Sequence, residues 1–260
     1  MALLYQDDFQ SYAVGDPPPY GDLVFLGGVV PASIIADPLG LFGQTKSLSL
    51  AANETLSYPA LDFVAGPFYQ QATVFADLKI NQYQDEFGPI IHFGNAYTSG
   101  GSTHSWVWSG IRILSDGTLA IVAQFDSAFA LNSSVSDYSL LCNKWYKLRV
   151  DISFGTTFDG KLVVLSCKVY VNGVVVTQIG VTPTTMLVGS FPSLYWNFMG
   201  LTGGGNGYNF GGLSIYDTIQ TGTFYPNPGS PKARINQGVI ELIRKRTAPI
   251  SSGGWMIYEA

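Results

Sequence analysis

The sequence predicts an all-β protein: a two-sheet antiparallel sandwich followed by a C-terminal extension. Three observations carry this. Apolar residues recur with period two or in short runs, the patterns of half-buried and fully buried strands. The 30 glycines and 14 prolines punctuate those runs. An Asn-Gly and an Asp-Gly pair supply the positive φ that a two-residue hairpin turn requires. With 47% hydrophobic and only 12% charged residues in 260, the chain can bury a substantial core and is not disordered.

Taken in order, residues 22–35 (DLVFLGGVVPASII), 46–51 (KSLSLA) and 72–80 (ATVFADLKI) read as strands. So do 88–94 (GPIIHFG), 105–114 (SWVWSGIRIL), 118–125 (TLAIVAQF) and 144–154 (KWYKLRVDISF). Residues 161–179 form a hairpin that turns at Asn172-Gly173, and Asp116-Gly117 turns the chain in the same way. Residues 193–201 and 211–217 close the body. The single segment open to either a short helix or an alternating strand is 236–246 (NQGVIELIRKR). Before it, YPNPGSPKA at 225–233 interrupts regular structure. The expected division is a body, 1–225, and a C-terminal arm, 226–260.

Charge follows the same division. Residues 1–231 carry a net −8 and residues 232–260 a net +3, from Lys232, Arg234, Arg244, Lys245 and Arg246 against two acids. An overall charge of −5 gives no argument for a nucleic-acid partner. No apolar run is long enough to span a membrane as a helix. MALLYQDDF has neither a basic n-region nor a long apolar core, so export by the usual route is not expected. The sequons at Asn53 and Asn132 then have no evident use. Cys142 and Cys167 could form one disulfide, but buried free thiols are the expectation in a chain without an export signal.

The order of these motifs resembles the laminin-G-like, concanavalin-A-like jelly-roll superfamily. The landmarks are DDFQSYAVGD opening the first strand, KSLSL, the sheet-crossing pair ATVFADLKI and GPIIHFG, then GIRILSDGTLAI, NKWYKLRVDI, CKVYVNGVVV and FGGLSIYD. Together they cover about 220 residues. The resemblance implies that the first strand pairs near the last, bringing Asp7 or Asp8 close to Asp217. Hard oxygen ligands from both ends could then hold a structural calcium; the alternative is that Asp8 caps a turn and Asp217 faces solvent.

Hydrolytic members of that superfamily carry an E-x-D-x-x-E strand, with two carboxylates on one face. This sequence has no such motif, and Asp85-Glu86 are neighbours that a strand would point to opposite faces. Neither His92 nor His104 has a second histidine or cysteine at metal-ligand spacing. There is no Gly-x-Ser-x-Gly elbow, and GGGNG lacks the ending of a phosphate loop. The expectation is therefore a protein that is not an enzyme. Sugars bind by stacking C–H faces on aromatic rings while amides take their hydroxyls. Two segments read as loops offer that chemistry, 95–108 and 202–210, with Tyr97, His104, Trp106, Asn206 and Tyr208 as candidate glycan contacts. The competing reading of these aromatics is a sandwich core.

In the arm, ARINQGVIELI resembles a short segment near the ends of various bacteriophage structural proteins. Arg234, Gln237, Val239, Glu241 and Leu242 match it and Gly238 departs from it. Candidate assembly residues are Arg234, Val239, Leu242, Ile243, Trp255 and Tyr258. The leading expectation is a structural protein of the virion with a glycan-binding body: a capsid decoration, fibre or tail component. Its partners would be other virion proteins, copies of itself in a homo-oligomer, or glycans. The alternatives are an exported, extracellular carbohydrate-binding or adhesion module, and a glycoside hydrolase.

Overall fold

The structure is a computed structural model. It describes residues 2–16, 24–25, 32–37, 44–50, 55–58, 69–83, 90–99, 102–123, 125–126, 128–129, 135–156, 161–180, 182–187, 196, 198–202 and 207–221. The chain divides into two units, Met1–Phe224 and Tyr225–Ala260, and every described residue belongs to the first.

The first strands are β1 (Leu3–Asp7), β2 (Val24–Phe25), β3 (Ser33–Ala36), β4 (Lys46–Leu50), β5 (Thr55–Tyr58) and β6 (Gln71–Ile80). Next come β7 (Ile91–Ser99), β8 (Ser102–Ile113), β9 (Thr118–Ala123), β10 (Phe125–Asp126), β11 (Ala128–Phe129) and β12 (Val135–Ser139). The last are β13 (Trp145–Thr156), β14 (Lys161–Val171), β15 (Val174–Ile179), β16 (Thr182–Leu187), β17 (Phe198–Thr202) and β18 (Tyr208–Tyr216). A nine-stranded sheet runs β15-β14-β13-β6-β18-β4-β3, with β1 also on β18 and β16 also on β14. A seven-stranded sheet runs β12-β9-β8-β7-β17-β5-β2, and β10 with β11 makes a small ribbon. The body is all-β, as the period-two pattern requires, and among the described residues every strand pairing is antiparallel.

Alternation builds the core. On β6 the residues Ala72, Val74, Ala76, Leu78 and Ile80 are buried apolar side chains, and on β13 Tyr146, Leu148, Val150, Ile152 and Phe154 match them. The seven-stranded sheet answers with Ile91, Phe93, Ile111, Ile121, Met199 and Leu201. Trp196 is fully buried, lies edge-on to Phe93 at 5.6 Å, and donates its indole N–H to the Gln71 carbonyl at 2.9 Å. A bulge at Gly211 shifts the register of β18. Core residues therefore switch from even numbers (Tyr208, Phe210) to odd ones (Leu213, Ile215) along one strand.

Both expected turns form, but only Asn172-Gly173 is a two-residue turn with both φ positive; at 115–117 the loop has three residues, closed by Leu114 and Thr118, and Asp116 is not at positive φ. Asn172 and Gly173 have φ of 51° and 85°, and Gly117 has φ of 82°. The two thiols are free, and Cys167 is fully buried. Two expectations need correction. DDFQSYAVGD does not open the first strand; β1 lies before it and ends at Asp7. Asp7 stops the strand by accepting the Phe9 N–H on Oδ1 at 2.7 Å, which holds Phe9 at a φ of 59° with its ring in the core. Within 95–108, residues 95–99 and 102–108 are likewise not a loop but paired positions of the β7–β8 hairpin. Among the described residues, no helix is long and apolar enough to cross a membrane.

Candidate functional site

The β7–β8 ladder gathers three of the candidate glycan contacts. Tyr97 stands opposite His104, and Asn95 opposite Trp106, so the four occupy a two-by-two block of register positions. Tyr208 does not join them. Its ring is 1% exposed and packs in the core on β18, where no sugar face can reach it. Asn206 lies outside the described residues, as do Asp85 and Glu86 and the sequons at Asn53 and Asn132. The arm residues Arg234, Val239, Leu242, Ile243, Trp255 and Tyr258 also lie outside them.

The calcium ligands do not assemble. β1 does pair with β18, but Asp7 stands opposite Leu213 while Asp217 follows Tyr216, the partner of Leu3. Four register steps, on the order of 13 Å, separate the two aspartates. Each also accepts a hydrogen bond. Asp7 Oδ2 accepts the Tyr12 hydroxyl at 2.6 Å, Asp217 Oδ1 accepts the Ala2 N–H at 2.7 Å, and Asp8 Oδ1 accepts the Gln10 N–H at 3.1 Å. Burial, with the Asp7 carboxylate beside it, pushes the Tyr12 hydroxyl up to about 12. Asp217 ties down the chain start rather than facing solvent, and Asp8 caps a turn. Among the described residues no group of three or more His, Cys, Asp or Glu could hold a metal.

Sequence reasoning missed the outer face of the nine-stranded sheet. Its side chains form cross-strand rows. Trp145, Lys79, Asn209 and Ser49 make one; Lys147, Asp77 and Gly212 the next. Tyr170, Arg149, Phe75 and Ser214 follow, then Lys168, Asp151, Thr73 and Tyr216. The signal was present in the alternating Trp-x-Lys-x-Arg-x-Asp of 145–151 and Thr-x-Phe-x-Asp-x-Lys of 73–79. Antiparallel pairing sets Lys147 of one against Asp77 of the other, and Arg149 against the Phe75 ring.

Each carboxylate on this face holds a cation. Lys79 binds Asp37, Lys147 binds Asp77 at 3.4 Å, and Arg149 binds Asp151 through two bonds of 2.8 and 2.9 Å. The Arg149 guanidinium lies between the rings of Phe75 and Tyr170, 5.3 and 4.9 Å from their centroids. It also donates to the Gln220 carbonyl, while the Gln220 N–H donates to Thr73 Oγ1 at 2.9 Å. Thr73 in turn donates to Asp151 at 2.7 Å. Asp77 and Asp151 stand four register steps apart along β6 and β13, about 13 Å. That exceeds the roughly 5–9.5 Å between the carboxyls of a glycosidase.

Around the Gly211 bulge the face is arranged differently. Gln44 donates Nε2 to the Gly211 carbonyl. Gln44 Oε1, Ser47 Oγ and Trp145 Nε1 are buried without a hydrogen-bond partner. A Cβ on Gly211 would sit 2.7 Å from Gln44 Oε1 and 3.1 Å from Trp145 Cζ3.

No protein-family model and no curated protein matches this chain. Among solved structures, an endo-β-1,4-glucuronan lyase from the fungus Trichoderma reesei superposes with a TM-score of 0.50 at 11% identity, over 84% of this chain and 96% of that one. The body is a concanavalin-A-like jelly roll. The alginate lyase Aly36B covers 83% of this chain and 98% of its own, with a TM-score of 0.47 and 11% identity. A carbohydrate esterase from the Shiga toxin-encoding bacteriophage phi24B covers 74% and 88%, with a TM-score of 0.44 and 13% identity. At such identities the concanavalin-A-like likeness concerns fold, and chemistry has to be argued from the side chains.

Proposed function

We propose that this protein is a non-enzymatic structural component of a phage virion, a decoration, fibre or tail protein. Its laminin-G-like body binds glycans, and residues 226–260 dock it on other virion proteins or on copies of itself. The observation that carries the glycan reading is the β7–β8 hairpin, which sets Tyr97 and His104, Asn95 and Trp106 in adjoining register positions. Rings for stacking and an amide for hydroxyls are the groups a saccharide needs. A binding rather than catalytic role is supported by the cation held at each of Asp37, Asp77 and Asp151. The virion reading rests on the resemblance of residues 233–243 and on an arm of net +3 beside a body of net −8.

The test uses the full chain on a glycan array and in co-sedimentation with particles. Trp106→Ala and Tyr97→Ala should weaken array retention with melting temperatures within about 2 °C of the parent. Deleting residues 226–260 should abolish co-sedimentation and lower the oligomer mass, leaving array binding intact. Reducing-sugar release from a polysaccharide panel would overturn the non-enzymatic reading. Unchanged assembly without the arm would overturn the docking role.

A further inference from the structure

We infer that the β12–β15 edge of the body is an interface between two copies of this chain, a two-fold pairing of one surface with itself that is separate from the arm. Among the described residues eight large apolar side chains are exposed. Five of them fall here: Val135 and Tyr138 on β12, Leu141 just after it, and Val174 and Val175 on β15. β12 and β15 are the end strands of the two sheets, and their Cα atoms approach within 8 Å, so the five share one side of the sandwich. Val174 pairs with Val171, whose side chain is in the core, so Val174 stands on the core side of β15. Tyr146 gathers the rest. Tyr138 meets its ring edge-on at 6.4 Å, the Lys144 ammonium lies 5.8 Å from the ring centre, and the Tyr146 hydroxyl accepts the Leu141 N–H at 2.7 Å. Leu141 is 58% and Val174 66% exposed. Such a cluster, rimmed by polar residues, marks a docking surface rather than the scattered apolar residues of an ordinary surface. β15 also lacks the usual devices that blunt a sheet edge, since Val-Val-Val-Thr-Gln-Ile holds no charge and no proline.

Charge selects the occupant. Residues 1–231 carry a net −8, so two copies repel over much of their surfaces. At this edge the signs balance. Asp137 and Lys144 are both exposed, and they flank Tyr138 and Leu141 along the chain. Asp116, which adjoins β12 through the Ser139 hydroxyl, is already held by the Thr118 N–H and hydroxyl at 2.9 and 2.6 Å. In a two-fold pairing, residue i of one copy meets residue j of the other and j meets i. One acid and one base on the same patch therefore make two attractions per interface. The arm, with a net +3, gains little from a surface holding one charge of each sign.

Sedimentation velocity on the full chain, from low micromolar to submillimolar concentration, reads the strength of the contact. Lys144→Glu and Asp137→Lys should each weaken self-association about tenfold, because each turns two attractions into repulsions. Mixing the two variants in equal amounts should restore it, since the unlike pair again sets acid against base at both positions. Val174→Lys, which places a charge in the apolar patch, should abolish the contact. All three sites are exposed, so melting temperatures should stay within about 2 °C of the parent. A parent chain that stays monomeric throughout would overturn the inference, as would variants that associate like the parent. A mixture as weak as either variant alone would overturn it too, and would leave the surface to another occupant, the arm included. Assembly made by the arm is untouched by these substitutions, so failure of one contact leaves the other standing.

Discussion

Arg149→Met tests whether the ion pair on the outer face acts as a coupled unit. Arg149 and Asp151 are each 5% exposed, joined by two hydrogen bonds, and the arginine is stacked between Phe75 and Tyr170. Methionine preserves much of the apolar contact with the rings. It leaves the Asp151 carboxylate buried without a cation, held by the Thr73 and Tyr170 hydroxyls. Stranding a buried charge in this way costs about 3–5 kcal/mol. That is a large share of the roughly 5–15 kcal/mol that holds a domain folded. The Gln220 carbonyl also loses its guanidinium donor. In urea unfolding, with a slope of about 2 kcal/mol per molar, the midpoint should fall by about 1.5–2.5 M. Adding Asp151→Leu removes the stranded charge and should recover at least about 2 kcal/mol, measured as the coupling in a double-mutant cycle. If Arg149→Met costs under about 1 kcal/mol, or the double variant is no better than the single, the pair is not the coupled clamp described here.

Three further outcomes follow from burial. Tyr208→Ala should lower stability by about 3–5 kcal/mol in the same urea assay, because it empties a core position rather than a binding surface. Burial, aided by the Asp151 charge, raises the Cys167 thiol above its ordinary 9.0. The folded state thus keeps a proton that the unfolded chain loses. That stability is complete below pH 9 and declines above it by about 1.4 kcal/mol per pH unit, a slope that Cys167→Ala should remove from unfolding curves taken between pH 8 and about 10.5. Gly200→Ala places a methyl against the His92 ring across the β7–β17 ladder. It should cost about 1–3 kcal/mol by thermal unfolding, with much of the loss restored by adding His92→Ala.

What was legible in the sequence was what local physics determines. Asn172-Gly173 and Asp116-Gly117 announce their turns because few other residues tolerate positive φ. The even-numbered apolar residues of 72–80 announce which face of β6 is buried. Residues 95–108 misled because glycine, serine and threonine dominate their middle, and composition outweighed the ladder pairing that makes them a hairpin. Tyr208 misled because it follows a glycine-rich run and because the bulge at Gly211 breaks its alternation with Leu213 and Ile215. β5, β12 and β16 are short and weakly apolar, so tertiary pairing rather than propensity makes them strands. The packing of Gln44 and Trp145 against Gly211 was out of reach, since the three come from distant stretches and meet only through the sheet order.

β18 is the last strand of the body and also its interior seam. One edge pairs with β6 along most of its length, and the other is shared by β4 and β1. During synthesis, β4 and β6 therefore emerge with facing edges that cannot be joined until residue 216 has left the ribosome. Up to that moment the nine-stranded sheet exists as two open fragments, β3-β4 and the strands joined to β6, plus an unpaired β1. A chain released before Tyr208 would expose those edges permanently, a template for pairing with other chains. Closure of the sheet thus waits for β18, which also brings a contact spanning 215 residues, Ala2 to Asp217. Such non-local closure is slow, and a host with ample holdase capacity would raise the soluble yield.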